Sequence, residues 1–266
     1  MPPYIAGLIR VITVAMAGLL PVSAAADDAP SVPTDGPVPV AEAIDGQTLR
    51  LADGRVLRLA GILVPNRATG SDDRYTNAAR QALTLLVQDR QIVFAFGKRS
   101  MDRHGRFVAQ VWRATGDGSR DAWLQAALLA DGFARVATTP DNVLLASEML
   151  RIEDEARRAR RGLWGDPIYR IRTPEDAGGA LDDFHIVEGR ILAVAVRRGT
   201  GYLNFGADYR TDFTLNLSRE ALRLMRESHM DPASLQGIRV RARGWLRSFN
   251  GPLIEITHPE QMEILQ

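Results

Sequence analysis

The sequence predicts an α+β domain followed by a second, mostly-β barrel with the strand order of an OB-fold. Three observations carry that expectation. The chain has 266 residues, 45% hydrophobic and 24% charged, enough for two modest globular cores. Its first half mixes about five strand-like patterns with three of helical period. Its second half reads as three strands, one helix and two or more strands, the order of an OB-fold barrel.

In the first half, Gln47 to Leu51 and Arg55 to Leu59 flank Asp53-Gly54, a strong hairpin signal. Tyr75 to Gln88 has helical spacing through Ala78, Ala82, Leu85 and Leu86. Ile92 to Phe96 and Arg106 to Trp112 read as strands joined by the polar turn Asp102-Arg103-His104-Gly105. Two more helices are expected, Ala122 to Ala130 before Gly132, and Asn142 to Arg161 before Gly162. In the second half the expected strands are His185 to Val196, Gly201 to Phe205 and Asp212 to Leu217. A helix capped by Ser218 follows over Arg219 to Glu227, then strands Ile238 to Leu246, Leu253 to Thr257 and Met262 to Leu265. Pro174, Gly178 and Gly179 among acidic residues mark a break between the halves.

The N-terminus bears Arg10, the apolar run Val11 to Leu20 and then Pro21-Val22-Ser23-Ala24-Ala25-Ala26, the layout of a cleavable export signal. That run is shorter than the roughly 20 apolar residues a membrane span needs, so no stable membrane insertion is expected after cleavage; an uncleaved anchor is the alternative. The expected organisation is a signal peptide over 1–26, a disordered leader over 27–38, a first domain over 39–170, a linker over 171–183 and an OB-like domain over 184–266. A periplasmic or secreted protein is expected. With no cysteine, its domains must stand on packing without disulfides. The net charge of +1 argues against a globally basic nucleic-acid binder and leaves only local patches for that role.

Five stretches lie in the order and spacing of one family. They are Asp45-Gly46-Gln47-Thr48, Arg58-Leu59-Ala60-Gly61-Ile62-Leu63-Val64-Pro65, Asp102 to Arg106, Asp131-Gly132-Phe133-Ala134 and Arg161-Gly162-Leu163-Trp164. Through them the first domain resembles the staphylococcal nuclease (thermonuclease) family, which implies a nuclease-type OB-fold, a five-stranded barrel with three helices. The resemblance also implies calcium held by carboxylates, an acid that activates or orients water, and two arginines that hold the phosphate. Those arginines fall on Arg58 and Arg106. The liganding acids fall on Gln47 and Leu63, and the catalytic glutamate on Asn66. Leucine cannot ligate a hard cation. The two amides carry no charge and take no proton. Losing one placed general base typically lowers the rate about 100- to 10,000-fold. Calcium-dependent hydrolysis is therefore expected to be lost, and no cofactor is expected to be held. A displaced metal site built from Asp45, Asp72 and Asp73 is the fallback, and His104 is a candidate base for a metal-free enzyme. Arg58 and Arg106 could hold a phosphate or survive as ion-pair partners; both readings stay open.

In the second domain, Ile238 to Leu246 alternates. Arg239, Arg241, Arg243, Trp245 and Arg247 share one face, a basic ribbon with a stacking ring. Tyr202 is expected to extend that surface for single-stranded nucleic acid. Glu188, Asp208, Asp212, Glu255 and Glu260 could instead neutralise the arginines across strands. The leading expectation is an exported, catalytically degenerate binder of single-stranded nucleic acid. The rivals are a phosphodiesterase with a rebuilt site and a cell-envelope protein-interaction module.

Overall fold

A computed structural model describes residues 35–65, 73–208 and 210–265. The signal-like segment thus lies outside the described residues. Among the described residues no helix is long and apolar enough to cross a membrane.

The first domain contains β1 (Asp35–Asp45), β2 (Thr48–Leu51), β3 (Val56–Leu59), β4 (Ile62–Leu63) and α1 (Asp73–Val87). It continues through β5 (Gln91–Met101), β6 (Phe107–Ala114), β7 (Arg120–Trp123), α2 (Leu124–Ala130), β8 (Arg135–Val136) and α3 (Ala146–Arg158). The β2–β3 turn forms because Gly54 takes φ +86°, while the Asp53 carboxylate accepts the Arg55 N–H at 3.0 Å. Strand order β3-β2-β1-β5-β6 closes on itself through a parallel pairing of β3 with β6. Inside this barrel lie Leu49, Leu57, Phe94 and Val111, covered by Leu83 of α1 and Leu128 of α2. The buried stripe of α1 is Ala79, Leu83 and Val87, spaced by four; Leu85, expected on that stripe, is off the register and 75% exposed. Helix α3 starts at Ala146, four residues later than expected. Asn142 is held in a turn on Thr139, and Asp141 accepts the Lys98 N–H from the end of the barrel.

The second domain contains β9 (Phe184–Arg190), β10 (Ala193–Arg197), β11 (Thr200–Asn204), β12 (Thr214–Leu217), α4 (Arg219–Glu227), β13 (Arg239–Ser248), β14 (Pro252–Ile256) and β15 (Met262–Leu265). The expected single strand over His185 to Val196 is bent into β9 and β10, which together make the first strand of the barrel. The circuit repeats that of the first domain. The first strand pairs with the second and fourth, the third runs parallel to the fifth (β12 with β14), and the fourth is antiparallel to the fifth. Leu203, Leu215, Val240 and Ile254 fill it. Ser218 caps α4 by accepting the Ala221 N–H at 3.1 Å.

Two expected boundaries shift. β1 begins at Asp35, inside the stretch read as a leader, because Val38 pairs with Ile92 of β5 and extends the barrel. The stretch read as a linker is folded. Thr173 and Asp176 form a capping box over a 3-10 turn, Pro174–Ala180, whose Ala177 and Ala180 enter the second core.

The two barrels meet in a seam of buried charge. Arg243 of β13 and Glu153 of α3 are 2% and 1% exposed and pair at 2.6 Å. The other Glu153 oxygen accepts the Val136 N–H at 2.6 Å, and Glu263 takes a second nitrogen of Arg243 at 2.5 Å. Beside them the buried Arg135 guanidinium lies over the rings of Tyr169 and Phe184, at 5.2 and 5.1 Å, and donates to the Phe184 carbonyl. Thr138 and His258 hydrogen-bond across the seam at 2.7 Å.

Candidate phosphate site

The end of β1 turns on Asp45, whose carboxylate accepts the Gln47 N–H at 2.8 Å. Gln47 is buried and its amide oxygen accepts the Val64 N–H at 3.1 Å, tying the turn to the end of β4. Gln47 therefore does a structural job where the resemblance implies a metal ligand. Leu63 is buried apolar surface, paired in register with Arg135 of β8. The Leu63 side chain offers no oxygen and the Gln47 side-chain oxygen already accepts the Val64 N–H, so these side chains do not fit the carboxylate calcium cage that the resemblance implies. No three carboxylate, histidine or cysteine side chains gather to hold a metal among the described residues. Asn66 and Asp72 lie outside the described residues, as does the Asp73 side chain; of the fallback acids only Asp45 is placed.

Arg58 sits mid-strand on β3, opposite Thr48 of β2 and beside Val108 of β6. It is half-buried and makes no hydrogen bond or ion pair among the described residues. Burial first, and the charge of Arg106 second, pull its guanidinium below its ordinary range; Asp102 and Asp45 offset only part of this. The Thr48 hydroxyl next to it is buried without a partner.

Arg106 is tied differently. Its Nε and Nη2 donate to Asp102 Oδ2 at 2.8 and 2.7 Å. Asp102 Oδ1 also accepts the N–H groups of His104 and Arg106. Burial pushes the Asp102 carboxyl up, but these hydrogen bonds outweigh it and hold it below the usual carboxylate range. His104 points to solvent and accepts from Arg103 at 3.1 Å. The sequence reading missed Asp102 as the clamp on Arg106, although an acid four residues before the arginine in a tight turn was visible.

The basic ribbon on β13 needs correction. Arg243 is buried under the first domain, and Arg241 pairs with Glu188 at 2.9 Å and with Asp154 at 3.4 Å. Arg239 pairs with Glu188 at 2.7 Å. Carboxylates from α3, β9 and β15 face this half of the strand, so its cations are neutralised within the chain. Trp245, Arg247 and, on β11, Tyr202 are not covered by that seam. Glu153, the buried acid that organises the seam, sits on the apolar stripe of α3 with Met149 and Ala156. An acid on such a stripe is the signal that could have found it.

The family model for staphylococcal nuclease homologues matches residues 56–166. Protein ParB of Escherichia coli is 33% identical over 132 residues, covering 48% of this chain and 72% of that protein. The family-model match spans the barrel strand that carries Arg58 and the Asp102–Arg106 turn. On this likeness and on the barrel circuit, the chain belongs to the family of staphylococcal nuclease homologues.

Proposed function

We propose that this is an exported nuclease-fold protein whose first barrel binds the phosphates of single-stranded nucleic acid without efficient hydrolysis. The observation that supports it most is Arg58. A half-buried cation that has no partner among the described residues and is repelled by a second arginine is costly unless an anion completes the site. Phosphate oxygens would accept from Arg58 and from the outer edge of Arg106, while Asp102 holds Arg106 in place. The reading of lost hydrolysis is supported by how the acids and amides placed near Arg58 are engaged among the described residues. Asp102 is committed to Arg106, Asp45 holds a backbone N–H, and Gln47 and Leu63 cannot take a proton. Export rests on the charged, apolar and small-residue order of the first 26 residues.

The test is a fluorescence-anisotropy titration of the full chain with labelled oligothymidine between 50 and 200 mM salt. Binding should weaken linearly on log–log axes, and Arg58→Ala should reduce both affinity and the salt slope, the latter by about one. The same variant should melt no lower than wild type, because it removes an unpaired half-buried charge. Absence of binding, or binding that the Arg58→Ala/Arg106→Ala double variant leaves unchanged, would overturn the proposal.

A further inference from the structure

The hairpin of β10 and β11 turns through Arg198 and Gly199, at φ +52° and +79°, a two-residue loop that makes Arg197 and Thr200 a hydrogen-bonded pair. Counting back along β10, Ala195 and Ala193 also bond to β11, so Val194 and Val196 turn their N–H and C=O groups the other way. Nothing among the described residues bonds to either valine on that side, and β10 stands at the end of the sheet order. The 3-10 turn Pro232–Leu235 packs beside β10 without bonding to it. An open apolar edge of this kind is a template for a further strand. Beside it opens a cavity of about 490 Å³, lined by Val196, Leu222, Met230 and Pro232 and by Arg226. Val196 is 55% exposed there. Arg219 stands two turns before Arg226 on the same flank of α4. The hairpin tip leans on it, since a Cβ at Gly199 would lie 3.3 Å from Arg219 Nε. The side chains of Arg197, Arg198, Arg219 and Arg226 make no hydrogen bond or ion pair among the described residues. The neighbouring acids are engaged: Glu220 and Glu227 hold Arg223, and Asp231 accepts the Ala233 N–H at 3.0 Å.

We propose that this groove takes an acidic, extended segment of a partner protein, which adds to β10 as a further strand. Backbone groups of the segment bond those of Val194 and Val196, and the side chain opposite Val196 enters the cavity. Acidic residues flanking that apolar anchor meet Arg226, Arg219 and the hairpin tip. Backbone and charge together choose the occupant. A lipid or a nucleic acid answers the cations but offers no row of N–H and C=O groups at strand spacing. A second copy of this chain has such a row in its own β10, but it would bring a second set of the same four arginines to the contact. An acidic peptide meets both requirements. The groove lies on the other barrel from Arg58, and its occupancy does not depend on the phosphate site.

The test titrates the full chain with fluorescein-labelled heptapeptides in which glutamate alternates with valine, leucine or phenylalanine. Circular dichroism verifies that each variant is folded. At least one peptide should bind, and its counterpart with N-methylated peptide bonds should not. Val196→Pro removes an outward N–H without touching the ladder to β11, as proline on an edge strand can, and should abolish binding. Arg226→Glu should weaken it by about tenfold or more, the effect of losing one charge-assisted hydrogen bond. The proposal is overturned if none of the peptides binds, or if the N-methylated form binds equally well. It is also overturned if Val196→Pro and Arg226→Glu bind as wild type does. Sedimentation that shows a dimer broken by Val196→Pro would put a second copy in the groove and overturn it too.

Discussion

Replacing Arg243 with alanine leaves Glu153 as a carboxylate buried between two barrels with the Val136 N–H as its one hydrogen-bond partner among the described residues and the charges of Arg135 and Arg157 nearby. Glu263, the other partner of Arg243, is 22% exposed and can be hydrated, so Glu153 dominates the cost. Breaking a buried pair from one side costs about 3–5 kcal/mol. Proton uptake caps it, since protonating an ordinary glutamate costs about 4 kcal/mol at pH 7 and about 1 kcal/mol at pH 5. The destabilisation of Arg243→Ala should therefore be about 4 kcal/mol at pH 7, a fall in Tm of roughly 8–16 °C, and should shrink towards 1 kcal/mol at pH 5. The sign follows from the raised proton affinity of a carboxylate without its cation, which lowers stability above the normal titration range and restores it below. Urea unfolding of variant and wild type at both pH values measures the difference. The double variant Glu153→Gln/Arg243→Met removes both charges and should return to within about 2 kcal/mol of wild type. A loss below about 1 kcal/mol at pH 7, or an equal loss at both pH values, would refute this picture of the seam.

Two further perturbations test the packing. His185 and His258 are buried at the seam and titrate at about 4: burial alone lowers His258, and burial followed by Arg172 and Arg135 lowers His185. Their neutral forms belong to the fold, so stability should fall as pH drops from about 6.5 to about 4, by up to about 3 kcal/mol for each, and His258→Gln should flatten this slope in acid melts. Gly132 has φ +70°, and a Cβ there would lie 2.2 Å from the Arg161 carbonyl oxygen, so Gly132→Ala should lower Tm by more than the effect of lost glycine flexibility can raise it. A melt of Gly132→Ala at or above the wild-type Tm would contradict that contact.

The barrel order was legible because each barrel is closed by strands whose alternation faces a single core. Asp53-Gly54 and Ser218 announced their turn and cap through local chemistry alone. Leu85 was misassigned because four apolar residues in one helix fit two neighbouring stripes, and only the strands beneath α1 choose between them. The arginines of β13 were misread for a similar reason. Alternation correctly put them on one face, but nothing local reveals that a helix about 90 residues earlier lays Glu153 and Asp154 against that face. At the candidate site, residue identities alone showed that Leu63 cannot ligate. That Gln47 spends its oxygen on Val64, and that Arg106 is clamped by Asp102 while Arg58 is not, required coordinates.

The most direct test of the proposed phosphate site is a cleavage assay on labelled single-stranded DNA. The full chain is incubated with calcium, with magnesium or manganese, and with chelator, beside the Arg58→Ala/Arg106→Ala double variant. The expected result is intact DNA in every sample, with salt-sensitive binding by wild type and weaker binding by the double variant. Metal-dependent cleavage by wild type that the double variant loses would contradict it, and would place a working acid among Asp45, Asp72 and Asp73.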